Sequence, residues 1–394
     1  MTPAPARRGR PRAATRLGPA SRRIAAGRRV AAGVFVLAVA LASLAETAWA
    51  QSADAFGYVE GRIVEIVPRP TPPDGALVLL QDGRVVGADL PLDDPDATLD
   101  LPPYEVGERV ELYYAPGPDG RLQYVVSDWV RRPALTWLLA IFALTALAVA
   151  GLKGLRAVAA TVASLAIVVA YVVPSIVAGH DPVWVSLVGV GGILLLAIYF
   201  VHGVNWSTTA ALVGTYAAVG VTMALAIGFT DAARITGLGA EDAIFLLAAA
   251  PQVALRGLLL AGILIGALGA LTDITIVQAS VVRELAHTDP SLGLRQLYAR
   301  GMNVGRDHVG SLVNTLVLAY AGAGLSLFVL LHVYEVTAAR AFNLELVATE
   351  VVHTLVGSVG LILAVPITTI LAAWWFRGDR LPLKPGELEH GHAH

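Results

Sequence analysis

Residues 257–275 read GLLLAGILIGALGALTDIT, and this stretch decides the fold class. Asp273 is its one ionisable side chain, and nineteen residues of helix nearly cross a bilayer core about 30 Å thick. Six other apolar stretches have similar length. The sequence therefore predicts a polytopic α-helical membrane protein with about seven transmembrane helices, near 134–152, 157–178, 183–201, 207–229, 254–282, 308–331 and 349–376.

The overall composition excludes several other classes of protein. The 394 residues are 56% hydrophobic and 15% charged, and a net charge of −2 lacks the basic excess of a nucleic-acid-binding protein. The absence of cysteine excludes thiolate nucleophiles, Fe–S clusters and Cys-ligated zinc. No H-E-x-x-H, G-x-S-x-G or P-loop motif is present, so we expect no enzyme activity and no cofactor.

The first fifty residues have the order of an export signal. Arginines between Arg7 and Arg29 precede an apolar run over 30–44, and Ala48 and Ala50 flank a tryptophan. This order predicts a signal peptide over 1–50, with an uncleaved signal anchor as the alternative. In both cases the residues that follow lie outside the cytoplasm.

Residues 51–132 have the texture of a small β-domain. Apolar and charged residues alternate in YVEGRIVEIV over 58–67, and turn signals such as Asp82-Gly83 divide the segment into about five short strands. The spacing predicts a small extracytoplasmic β-barrel-like domain, for which an OB-like topology is one option.

Basic residues set the predicted orientation of the membrane domain over 133–378. With the β-domain outside, seven spans place Lys153, Arg283 and most other basic residues in the cytoplasm, as the positive-inside rule requires. The protein is thus expected in the cytoplasmic (inner) membrane, with a cytoplasmic tail over 379–394. That tail is either a weak metal site or flexible chain, and its candidate ligands are His390, His392 and His394.

One face of the fifth predicted span combines small residues with a carboxylate. Gly262, Gly266, Gly269 and Asp273 recur at helical spacing, which predicts close packing against a neighbouring helix. An ionised carboxylate facing lipid is costly, so we expect Asp273 to face the bundle interior and to carry protons. The alternative is a structural carboxylate that accepts hydrogen bonds from nearby hydroxyls.

Polar residues also line the sixth and seventh predicted spans. A stripe enters the sixth span, and two titratable residues lie near the outer end of the seventh. We predict a coupling and polar pathway through them, with ordinary solvation of helix ends as the alternative. The candidates are Asn303, Arg306, Asp307, Asn314, Thr315, Glu350 and His353.

Several of these residues belong to segments that resemble a known family. GALGA over 266–270, GMNVGRD over 301–307, NTLVLAY over 314–320 and LVGSVGL over 355–361 resemble the YibE/F-like membrane proteins in motif and in order. The family layout of a β-domain followed by several spans fits the chain. His353 departs from the pattern, since a basic residue is more usual there, which puts a fixed positive charge in doubt.

A partial resemblance concerns the region after Asp273. The segment DITIV over 273–277, followed by Arg283-Glu284 and an Asn-Thr-rich span, is similar to SecF and RND-type proton-driven membrane proteins. That resemblance implies a proton relay through the helix bundle.

Two functions are compatible with this sequence. The first is a transporter or permease of a small ion or solute, proton-coupled through an intramembrane carboxylate. The second is a non-transporting accessory or scaffold protein that anchors the β-domain to a partner complex. The expected partners are the lipid bilayer, a second copy of the chain or another membrane protein, and no nucleic acid.

Overall fold

The computed structural model describes residues 56–69, 74–91, 102–118, 120–239 and 241–377. These residues divide into two compact units, one that ends at Gly151 and one that begins at Leu152. The predicted signal segment and the histidine-containing tail lie outside the described residues.

The first unit contains a closed five-stranded barrel, which confirms the small β-barrel predicted from the sequence. Its strand order is β1-β2-β3-β5-β4, with β3 and β5 parallel and the other pairs antiparallel. The strands are β1 Gly57–Val67, β2 Gly75–Leu80, β3 Val85–Asp89, β4 Arg109–Pro116 and β5 Leu122–Trp129.

Alternation along the strands builds the barrel core. Inward-facing side chains are buried while their neighbours along each strand are more exposed, as expected for a sheet with one buried face. A shift in register between Ile63 and Glu65 accompanies the switch of β1 from one neighbouring strand to the other. The buried core residues are Ile63, Ala76, Val78, Leu80, Ala88, Val110, Leu112 and Val126.

The rest of the described chain consists of helices and short connections. A π-helical segment over Val168–Val172 joins α1 to α2, and a second one over Leu195–Phe200 continues α3. The helices are α1 Arg132–Ile167, α2 Val173–Val177, α3 Pro182–Leu194, α4 Trp206–Ala232, α5 Glu241–Ala249, α6 Leu255–Thr288, α7 Leu294–Ala323, α8 Leu325–Val333, α9 Ala338–Ala341 and α10 Glu345–Phe376.

The helices are those of a multi-pass membrane protein. Five helices in the described part of the chain are long and apolar enough to span a bilayer. The count is six if α7 and α8, which are bent by 58° relative to each other, form one span. The longest candidate, Arg132–Val177, has 46 residues. Its backbone is interrupted at Gly151, where φ is 59° and ψ is −144°, a conformation that favours glycine. The count of seven predicted spans is not confirmed.

The core of the second unit is formed where α4, α6 and α10 pack against one another. Buried hydroxyls link these helices, because polar groups between apolar helices need partners inside the bundle. The Oγ1 atoms of Thr215 and Thr275 are 2.6 Å apart. Completely buried Gln278 donates to the carbonyl of Gly301 at 2.9 Å and to Oγ1 of Thr369 at 2.6 Å, so it connects α6 to both α7 and α10.

Glycines in α7 allow this helix to approach Gln278. A Cβ atom at Gly305 would lie 2.5 Å from Cγ1 of Val365 and 3.0 Å from Oε1 of Gln278. A Cβ atom at Gly301 would lie 2.9 Å from Cγ2 of Val282. Part of the GMNVGRD motif therefore serves close helix packing.

Loop contacts close one end of the bundle. Arg256 at the start of α6 pairs with Asp231 near the end of α4. Glu345 at the start of α10 accepts hydrogen bonds from the backbone N–H of Thr236 at 2.9 Å and of Gly237 at 2.8 Å. The end of α4 and the starts of α6 and α10 therefore lie at the same end of the bundle.

We predict that Gly305→Ala lowers the free energy of unfolding by about 1–3 kcal/mol, because the added methyl group overpacks the contact with Val365. Gly310→Ala is the matched control on the same helix, since its Cβ would meet nothing within 4 Å. Denaturant titration of the two variants in detergent measures the difference. Equal stability of both variants would contradict the packing role of Gly305.

Candidate functional site

A groove beside α6 contains the carboxylate of Asp273. Its walls come from α1 beyond Gly151, from the π-helical segment after α3 and from α6, and its volume is about 510 Å³. Most of the lining is apolar. We call it the Asp273 groove, and its polar lining residues are Thr161, Ser164, His202, Thr272 and Asp273.

Packing of α6 explains why Asp273 lies in this groove. The opposite face of the helix contributes Leu264 and Leu271 to the main hydrophobic core. We expected Asp273 to face the bundle interior, but its side chain is exposed along the open side of α6. Within the described part of the chain, its carboxylate has no hydrogen bond or ion pair.

His202, which the sequence pattern did not single out, lies in the same groove. Burial lowers its pKa below the ordinary value of 6.5, Lys153 lowers this pKa further, and Asp273 raises it. The neutral imidazole is therefore favoured at pH 7, and the site holds a titratable group next to Asp273. Its position just after an apolar stretch was the only sequence signal.

A second cavity of about 200 Å³ adjoins the groove. His202 and Ile276 line both cavities, so the two are neighbours. We call the second cavity the Lys153 pocket, and its lining residues are Lys153, His202, Asn205, Ser207, Thr208, Ala211, Ile276, Ser280 and Arg283.

The start of α4 forms one wall of the Lys153 pocket. Oδ1 of Asn205 caps the helix by accepting hydrogen bonds from the N–H groups of Ser207 at 3.0 Å and Thr208 at 3.1 Å. Oγ1 of Thr208 accepts in turn from the N–H of Asn205 at 2.9 Å, which completes a capping box. The loop after α3 is thus held in a defined geometry.

The predicted polar residues of α7 do not meet Asp273. Nη1 of Arg306 donates to Oδ1 of Asn303 at 3.2 Å, one turn away on the same helix. Among the described residues, Arg306 and Asp307 form no ion pair with Asp273. The exposed residues of this stripe are Asn303, Arg306, Asp307, Asn314 and Thr315.

Glu350 and His353 belong to a different region. Glu350 lines a mainly apolar cavity of about 320 Å³ that shares no lining residue with the Asp273 groove. Nε2 of His353 lies 3.1 Å from the hydroxyl of Tyr320. A Cβ atom at Gly266 would be 2.9 Å from each of these two atoms, so the glycine makes room for the pair.

The other two glycines on this face have open surroundings. A Cβ atom at Gly262 or Gly269 would meet nothing within 4 Å. Among the described residues, close approach of neighbouring helices on this face therefore occurs at Gly266 and not at Gly262 or Gly269. No cluster of three or more potential metal ligands occurs in the described part of the chain, and His390, His392 and His394 lie outside it.

We predict that Asp273→Asn lowers the pKa of His202, because it removes the negative charge that favours the imidazolium. Lys153→Gln should raise the same pKa, since it removes a repelling positive charge. Histidine-labelled NMR titration measures both shifts, with the His202 signal assigned by its loss in His202→Gln. No shift in either variant would contradict the electrostatic contact.

Comparison with known proteins identifies the membrane region. No curated protein and no solved structure gives a significant match to this chain. The family model described as YibE/F-like protein matches residues 138–378, more than half of the sequence. This region includes the Asp273 groove, the Lys153 pocket and the Tyr320–His353 pair. The chain belongs to the YibE/F-like family.

Proposed function

We propose that this protein is a transporter or permease of the cytoplasmic membrane, coupled to protons through Asp273. The observation that supports this function is the shared wall between the Asp273 groove and the Lys153 pocket. Because of this shared wall, the apolar groove that contains Asp273 adjoins the polar Lys153 pocket at one end of the bundle. Such intramembrane carboxylates are characteristic of proton pathways.

The chemistry of the groove suits reversible protonation. Without a cationic partner, an ionised carboxylate in an apolar groove is costly, so a change in hydration or a bound cation alters its charge state. His202 can exchange protons between Asp273 and the polar cavity, because imidazole titrates near neutral pH. The proposed substrate is a small ion or solute.

The proposal includes seven spans. Gly151 would separate two spans, 132–150 and 152–177, since one helix of 46 residues would be about 70 Å long, over twice the bilayer core. Lys153, His202 and Arg283 follow three different proposed spans, and all three line a single pocket. This is expected if the ends of these spans lie at the same membrane face. The positive-inside rule assigns this face to the cytoplasm and the barrel to the outside.

The barrel is proposed as an OB-like extracytoplasmic domain within residues 51–132. Its strand order and the parallel β3–β5 pair support the OB-like topology. We propose that this domain recognises a partner or caps the membrane domain. We also propose that the chain has no enzyme activity of its own.

A second candidate function is a non-transporting scaffold. The open surroundings of Gly262 and Gly269 favour it, since small residues on a helix face allow close approach of another membrane helix. The exposed stripe of Arg306 and Asp307 on α7 favours it as well. In this function the two faces would bind a second copy or another membrane protein.

We predict that Asp273→Asn reduces substrate-dependent proton flux in proteoliposomes at least about tenfold, because an amide keeps the shape of the carboxylate but carries no proton. Asp289→Asn is the matched control: it removes a carboxylate directly after α6, outside the groove. The assay pairs a pH-sensitive dye with a panel of metal ions and small solutes.

Both variants are first checked for monodispersity and thermal stability. Flux in the wild type and in Asp289→Asn, with loss in Asp273→Asn, is the expected result. Absence of flux in well-folded wild-type protein across the panel would contradict the transporter and favour the scaffold.

A further inference from the structure

We propose that the Lys153 pocket is a binding site for a small oxyanion of the phosphate class. Two basic side chains, Lys153 and Arg283, reach this cavity from α1 and α6. None of the nine described residues that line it is acidic. The pocket therefore combines positive charge with hydrogen-bond donors from separate elements.

The start of α4 adds a further source of positive potential. The helix has 27 residues, and its first N–H groups carry the positive end of the helix dipole into the pocket wall. Asn205 already accepts from the N–H groups of Ser207 and Thr208, so side chains are the main donors left for a ligand.

Ser207 is a donor poised for such a ligand. Its side chain lines the pocket and is only 4% exposed. Among the described residues, its hydroxyl has no hydrogen-bond partner. The rest of this residue is buried, so a ligand can reach the hydroxyl only from the pocket, where an oxyanion between Ser207 and Lys153 would accept its hydrogen bond.

Lys153 and Arg283 also keep N–H donors that a ligand can use. Lys153 forms no ion pair with any described residue. Arg283 pairs with exposed Glu284 through Nη2 at 3.1 Å, which leaves its other N–H groups available. A volume of about 200 Å³ accommodates a tetrahedral oxyanion with a few waters, at about 30 Å³ per water.

Two sources could supply this chemistry. Inorganic phosphate is one, and the phosphomonoester headgroup of an anionic lipid is the other, because the pocket lies at one end of the helix bundle. Both present oxygens to the same cations and the same hydroxyl. Binding of the oxyanion at equilibrium does not require transport.

The test begins with calorimetric titration of inorganic phosphate into the full chain in phosphatidylcholine nanodiscs. We expect Lys153→Gln and Arg283→Gln to weaken phosphate binding about tenfold or more, since each removes a charge-assisted hydrogen bond. Ser207→Ala, which leaves both charges in place, should weaken it severalfold. It serves as the decisive variant if a charge substitution impairs folding.

One matched control lies on α1, the helix that carries Lys153, and the other lies on α7, the helix that follows α6. Arg156→Gln removes a positive charge one turn from Lys153, and Arg295→Gln removes one near the start of α7. Neither residue lines the pocket, so both variants should keep wild-type affinity.

The second arm uses nanodiscs that contain phosphatidic acid, and native mass spectrometry measures how much of this lipid the protein retains. Phosphate binding lost in the pocket variants supports a soluble oxyanion. A lipid headgroup is supported if the wild type retains phosphatidic acid, the pocket variants lose it, and inorganic phosphate does not bind. Binding of neither, or equal losses in pocket and control variants, would overturn the site whether or not transport is observed.

Discussion

Hydrogen bonds between buried polar side chains join the helices of the membrane region, because a polar group among apolar helices is costly without a partner. Thr215 meets Thr275 across one contact, and Gln278 joins α6 to α7 and α10 across another. These contacts commit one face of α6 to the core. On the other side of this helix, Gly262, Gly269 and Asp273 are left exposed.

The open face of α6 is the origin of the candidate site. Because the core takes the other side of the helix, Asp273 lies along a groove instead of inside a tightly packed bundle. His202 then places a titratable group between this groove and the Lys153 pocket. The proposed coupling and the proposed anion site depend on the same arrangement and are tested separately.

The sequence predicted the features that depend on local pattern. Apolar runs indicated the helices, alternation indicated the barrel, and Asp273 stood out as a carboxylate within an apolar stretch. His202 and the Lys153 pocket escaped prediction because their members come from segments distant in sequence. Spacing also cannot say which face of α7 meets the core, so the sequence left open whether Arg306 lies near Asp273, and among the described residues the two form no ion pair.

The most direct test of this account is whether water reaches the Asp273 groove. The chain has no cysteine, so Thr161→Cys introduces a single thiol on the groove wall, and Val162→Cys provides its neighbour outside it. A charged, membrane-impermeant thiol reagent is applied to each face of sealed membrane vesicles. If water fills the groove from the cytoplasm, Thr161→Cys is modified rapidly from that face and Val162→Cys slowly. Equal, slow modification of both thiols from either face would contradict it.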